Sequence, residues 1–150
     1  MPAAKPECKF CQIVSKELPS CIVFEDEISL GFLDHRPLFA GHVLFVPKEH
    51  FETLADLPVG LVGLFFADVQ RLTAGVERAM KAEGSFVAIN NRVSQSVPHL
   101  HVHIVPRRKK DGLRGFFWPR QAHPDQAEMR RAQAAIRSAL DRDHQGHADK

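Results

Sequence analysis

His99, His101 and His103 alternate with the aliphatic residues Leu100, Val102 and Ile104. In a strand, alternate side chains share a face, so this pattern predicts three imidazoles on one side and three core residues on the other. A rise of about 3.3 Å per residue would set successive histidines roughly 6.5 Å apart, the scale of a phosphate group and its neighbours. Neutral imidazole, with a reference pKa of about 6.5, is largely unprotonated at neutral pH and can attack phosphorus without a separate base. Two other readings of the same residues stand beside this one. The face could be an ordinary polar strand face that contains histidine, or a strand-borne zinc site, because H-x-H pairs can share a metal.

The flanking residues narrow the choice. The stretch Gln95-Ser96-Val97-Pro98-His99-Leu100-His101-Val102-His103-Ile104-Val105-Pro106-Arg107 closely resembles the signature of the histidine-triad (HIT) superfamily. The resemblance extends through Phe10 to Pro19, Phe24-Glu25-Asp26, Phe32 to Asp34, His42 and Val46-Pro47-Lys48-Glu49-His50, about two-thirds of the chain. It implies that His101, the middle histidine, is a nucleophile that takes up a nucleotidyl group. Such a covalent intermediate divides one hard displacement into two easier ones. His103 then corresponds to the family histidine that contacts the α-phosphate, and His42 to a fourth histidine that supports the network. Ser96 corresponds to a hydroxyl near the leaving group, able to donate a hydrogen bond there.

On the nucleoside side, the resemblance gives Asp34 the role of accepting hydrogen bonds from both ribose hydroxyls, which suits a carboxylate's two oxygens. Phe10, Ile13, Leu18 and Phe32 correspond to an apolar slot around the base, with Val97 beside the nucleotide. Asn90 corresponds to a substrate-contacting asparagine, and Asn91 is an alternative for that amide. The loop Asn91-Arg92-Val93-Ser94 is shorter and poorer in glycine than in small nucleoside-phosphoramidase members, so their leaving-group preference does not transfer directly. Cys8 and Cys11 form a C-x-x-C pair, a spacing that in a reducing cytosol points to metal or redox chemistry. With His50 and His99 it resembles the structural zinc set of some bacterial members and of the related galactose-1-phosphate uridylyltransferases. Two thiolates and two imidazoles make a closed tetrahedral site.

The elements that must position these residues follow from periodicity and punctuation. Met1 to Glu7 is a polar lead-in. Strands are expected at Cys21 to Phe24, Ile28 to Leu33, His42 to Pro47, Phe86 to Asn90 and Val97 to Val105, the last halted by Pro106. A Pro/Gly-bounded loop spans Asp34 to Gly41. Leu61, Leu64, Phe65, Val69, Leu72, Val76 and Met80 recur at three- and four-residue steps, so Leu57 to Lys81 is expected to be one amphipathic helix ended by Gly84. Asp125 to Leu140 is expected to be a terminal helix with Ala127, Ala134, Ile136 and Leu140 partly apolar. Cys21 reads as a small buried filler. Together these predict an α+β, HIT-like domain on an antiparallel sheet, with its core over about residues 8–120 and a helical extension over about 121–143. Gly115-Phe116-Phe117-Trp118-Pro119-Arg120 is an aromatic loop in which Trp118 is expected either near substrate or packed on its own domain. His123, His144 and His147 read as surface residues.

Composition bounds the rest. A chain of 150 residues can bury one self-sufficient core. Three cysteines are too few for a disulfide scaffold, and no apolar run is read as a membrane span or a leader, so the expected location is the cytoplasm. The net charge of +2 does not call for nucleic acid. The run Arg107-Arg108-Lys109-Lys110 could attract an anion but reads first as a solvated stretch. The resemblance implies a homodimer that takes a purine, AMP-type nucleotide, foremost as a nucleoside phosphoramidase releasing AMP. Dinucleoside polyphosphate hydrolysis or phosphorolysis is the enzymatic alternative. A zinc-containing nucleotide-binding module with little turnover is the reading from another class.

Overall fold

The structure, a computed structural model, describes residues 5–113 and 125–147. Its organising element is the strand β3, Val43–Pro47, every residue of which is buried. A continuous apolar run of this kind needs cover on both faces, and the chain supplies it twice. β1 (Ile22–Glu25), β2 (Ser29–Leu33), β4 (Gly84–Ala88) and β5 (Val102–Arg107) complete an antiparallel sheet in the order β1-β2-β3-β5-β4. The antiparallel α+β architecture, the long helix and the C-terminal helix are those expected.

Register decides which residues share a face. Phe32 pairs with Leu44 and Leu30 with Val46, whereas Gly31 pairs with Phe45. Leu44 in turn pairs with His103, and Phe45 with Val102. His103 therefore lies on the face of Leu44 and Phe32, and Val102 and Ile104 on the face of Phe45. Helix α2 (Val59–Ala79) covers the Phe45 face with Phe65, Val69 and Val76. The Phe45 and Phe65 rings stack at 4.7 Å, and burying each such side chain contributes about 1.5–3 kcal/mol. The other face is covered by α1 (Lys9–Val14), through Phe10 and Ile13 on Leu30, Phe32, Leu44 and Val46. This short helix was not anticipated from the sequence, because six residues are too few to show a period.

Several boundaries differ from expectation for identifiable reasons. α2 is preceded by a 3₁₀ turn at Leu54–Asp56, where the Asp56 carboxylate accepts from the Thr53 backbone N–H and hydroxyl. Its end is made by Lys81 in the left-handed conformation rather than by Gly84, which opens β4. α2 has 21 residues and is long and apolar enough to cross a membrane by length and composition, but its buried residues serve the sheet. Pro106 does not halt β5. It lies past Ile104, the last residue paired with β3, so only β4 neighbours it and the missing N–H is tolerated. Cys21 is exposed just before β1, not buried within it.

A first compact unit ends at Gly112, and a second holds α3, Gln126–His147. The Asp125 carboxylate accepts the Glu128 N–H at 2.8 Å and caps that helix, which runs past the expected Leu140. His144 and His147 fall on α3, while Phe116, Phe117, Trp118 and His123 lie outside the described residues.

Gly41, at φ +90°, turns the chain into β3, and a Cβ there would stand 2.5 Å from Met80 Cγ. The substitution Gly41→Ala should therefore lower unfolding stability by about 1–3 kcal/mol in urea titration. A loss of less than about 0.5 kcal/mol would show that the turn is not constrained as described.

Candidate functional site

The triad is built differently from an open strand face. β5 begins at Val102, and the residues before it form a pinned turn. His99 N–H donates to the Val97 carbonyl at 2.8 Å, and Leu100 N–H donates to the Phe51 carbonyl at 2.6 Å. His99 and His101 are buried, and His103 is partly so. The three still share the α1 side, since the Phe10 ring meets His99 edge-on at 5.9 Å and His101 at 5.1 Å. His101 and His103 ring centres are only 4.9 Å apart, closer than an ideal strand would set them.

The hydrogen bonds determine which nitrogens carry protons. His101 Nδ1 lies 2.7 Å from the His99 carbonyl, which can only accept. The proton is therefore on Nδ1, and the Nε2 lone pair is left free. A second chain starts at the Leu38 backbone N–H, which donates to His42 Nδ1 at 3.1 Å. His42 must then donate from Nε2 to His103 Nδ1, at 3.0 Å. That leaves His103 with its proton on Nε2, as a donor. One histidine thus presents a lone pair and its neighbour an N–H.

Burial keeps these rings neutral. It pushes His103 down to about 4, with neighbouring His101 and His42 adding to the effect and Asp34 opposing it. Burial lowers His101 and His42 as well, again against Asp34. Desolvation outweighs the nearby carboxylate in each case.

Asp34 stands beside His42, its Oδ2 3.7 Å from Nδ1, and its Oδ1 accepts the Arg36 N–H at 2.9 Å. Phe10, Ile13 and Phe32 join one apolar cluster against which Val97 packs, with Phe10 and Phe32 edge to face at 5.4 Å. Leu18 is outside that cluster and exposed. Ser96 and Asn90 are exposed, free to meet a ligand. Asn91 has structural work instead, accepting the Leu54 N–H at 2.9 Å. The basic run is also committed elsewhere. Arg107 pairs with Asp111, Arg108 donates to the Met80 carbonyl, and Lys109 faces Glu83, all near the far end of β5 from His101.

Cys8, Cys11, His50 and His99 are all buried, and their ligand atoms lie within 4.8 Å of one another. Cys11 Sγ is 3.3 Å from His50 Nδ1 and 3.6 Å from His99 Nδ1, and Cys8 Sγ is 3.5 Å from His99 Nδ1. Ligands about 2.0–2.3 Å from a tetrahedral centre would be spaced in about this way. His99 Nε2 donates to the Pro47 carbonyl at 2.8 Å, so its Nδ1 lone pair faces the sulfurs. Burial pushes the Cys11 thiol up, and a thiolate there needs a cation. The donor set therefore fits a metal.

Sequence reasoning missed two supports. The Leu38 amide carries no side-chain signal at all. Gln95 gave one, an amide beside the triad: it accepts the Arg92 N–H at 2.8 Å and donates to the Glu52 carbonyl at 2.6 Å, tying down the preceding loop.

Residues 15–110 match the HIT domain. An adenosine 5′-monophosphoramidase of Saccharomyces cerevisiae is 37% identical over 117 residues, covering 76% of this chain and 71% of that protein. An adenylylsulfatase of Arabidopsis thaliana is 33% identical over 109 residues, covering 71% of this chain and 55% of that protein. The crystal structure of a zinc-bound histidine triad family protein from Mycobacterium smegmatis superposes with a TM-score of 0.68 at 37% identity, covering 89% of this chain and 97% of that one.

The depressed histidines link stability to pH. A ring that titrates at 6.5 when unfolded and at about 4 when folded binds its proton more readily in the unfolded state between those values. The histidine contribution to stability should thus fall as pH drops through that window and level off below it. The urea midpoint measured against pH should show this slope, reduced in His103→Gln. A profile flat across the window, or the same slope in the variant, would contradict the assignment.

Proposed function

Since this chain belongs to the HIT family, we propose that it is a nucleotide hydrolase or nucleotidyl transferase acting at the α-phosphate through a nucleotidyl intermediate on His101. The carrying observation is the Nδ1–H bond from His101 to the His99 carbonyl, which leaves Nε2 unprotonated. In this reading Nε2 attacks phosphorus in line, the leaving group departs, and water or another acceptor then releases the nucleotide. His103, a donor held by His42, steadies the charge developing on the α-phosphate. Asp34 takes the ribose hydroxyls. Phe10, Ile13 and Phe32, with Leu18 and Val97 at the margin, hold the base, and Asn90 and Ser96 meet substrate from the exposed loop. The preferred substrate is a purine nucleoside phosphoramidate, with AMP as product, in keeping with the similarity to the yeast monophosphoramidase.

The buried Cys8-Cys11-His50-His99 set is proposed to hold a structural Zn²⁺, in keeping with the similarity to the zinc-bound mycobacterial protein. The metal would supply cross-linking rather than reaction chemistry, because all four tetrahedral positions are filled by side chains. It would tie α1 to the end of β3 and to the turn before His101.

His101→Gly should reduce turnover of adenosine 5′-phosphoramidate by roughly 10³-fold or more while AMP still binds. Turnover unchanged in the variant would reject covalent catalysis. A wild-type protein that binds AMP but turns over neither phosphoramidate nor dinucleotide would favour a binding module instead. Protein purified without added zinc should carry about one equivalent by elemental analysis, and Cys11→Ser should lose most of it. Less than about a tenth of an equivalent in the wild type would end the zinc proposal.

A further inference from the structure

The four residues of the Cys8-Cys11-His50-His99 set are neither equally enclosed nor equally braced. His99 is fully buried, and its Nε2 is anchored on the Pro47 carbonyl at 2.8 Å. A metal-ligating imidazole is ordinarily held through its second nitrogen in this way. His50 is the exception. Its Nδ1 lies 3.3 Å from Cys11 Sγ, but its Nε2 has no hydrogen bond among the described residues. Cys8 and His50 also line a cavity of about 270 Å³, whereas Cys11 and His99 are not part of its wall. The same cavity is bounded by Lys5, Glu7 and Lys9. This lip is fastened: the Cys8 N–H donates to the Lys5 carbonyl at 2.9 Å, and the Gln12 amide donates to the Pro6 carbonyl at 2.7 Å. Neither Lys5 nor Lys9 has an ion-pair partner among the described residues, whereas Lys16, Lys48 and Lys109 do. With two ammonium groups against one carboxylate, the mouth of the recess carries net positive charge.

A closed four-ligand site loads or unloads when one protein ligand gives way, and it needs a path by which the exchange can occur. Here the least braced imidazole faces the open space, and the clamped one faces the interior. We infer that the recess is an exchange port for the metal: a small anionic metal-binding molecule enters beside Lys5 and Lys9, and His50 is the first side chain to yield its place. The inference rests on the metal reading above and asks nothing of the chemistry at His101. A donor atom of the incoming molecule bonds to the metal as the bond to His50 Nδ1 breaks. Cys8 and then Cys11 follow, their thiolates taking up protons from solvent, and no electrons are transferred. His99, clamped to Pro47, lets go last. The cross-link between α1 and the turn before His101 is thus one that carboxylate or phosphate ligands of suitable size can undo and remake.

The test loads the full chain with Co²⁺ and follows loss of the thiolate-to-cobalt absorption band after excess chelator is added, a readout independent of turnover. Anionic EDTA is compared with neutral 1,10-phenanthroline, in wild type and in Lys5→Gln/Lys9→Gln. Both lysines are exposed, so the double variant should fold. In wild type the release rate should rise in proportion to chelator concentration. The EDTA rate should fall about five-fold or more in the Gln variant, the low end of local charge steering, while the phenanthroline rate stays within about two-fold. Added salt should slow EDTA in wild type and leave the Gln variant unchanged. In folded His50→Gly, added imidazole should enter by the recess and restore the wild-type cobalt spectrum. Release independent of chelator concentration would show that the ion escapes by unfolding, and would overturn the port while leaving the metal site intact. Equal effects of the lysine changes on both chelators, or a His50→Gly spectrum that imidazole leaves unmoved, would overturn it as well. A wild-type protein that takes up no Co²⁺ or Zn²⁺ would instead remove the metal reading, and the port with it.

Discussion

The hydrogen bond from His101 Nδ1 to the His99 carbonyl is the constraint on which the site depends. Because a carbonyl only accepts, it dictates which nitrogen of His101 holds the proton and which keeps its lone pair. The carbonyl in turn is held by its surroundings. The His99 ring is anchored to Pro47 at the end of β3, and the following amide to Phe51. A single residue therefore serves two ends: its backbone sets the tautomer of His101, while its ring faces the two cysteines. Anything that rotates His99 alters both.

Burial supplies the second condition, neutrality. His42, His101 and His103 are all depressed chiefly by desolvation, although Asp34 pulls each the other way. The consequence is a cluster of three imidazoles without a cationic ring among them. Oriented N–H groups in such a cluster can attract an anion without protonating the imidazole beside them.

The sheet makes the two conditions compatible. Its Phe45 face packs on α2 and supplies a dry, apolar foundation for Val102 and Ile104. The opposite face carries the histidines under Phe10 and α1. Since β5 lies between β3 and β4, His103 cannot slide without breaking pairing on both sides.

Much of this was legible in the amino-acid sequence. Alternation placed His103 opposite Val102 and Ile104, helical spacing located α2, and the C-x-x-C pair with His50 and His99, a set the family resemblance suggested, is brought together as a buried cluster that could hold a metal. These are properties of period and residue type, which survive folding because each strand or helix has only a few ways to bury its apolar side. What the sequence could not state is which partner reaches each polar atom. The pinned turn at His99–His101, the Leu38 amide behind His42, the diversion of Asn91 and of Arg107–Arg108 to structural bonds, and the exposure of Cys21 all depend on groups brought in from distant positions. Proton placement on an imidazole follows the direction of its hydrogen bond. That direction exists only once the tertiary structure has delivered the carbonyl or the amide.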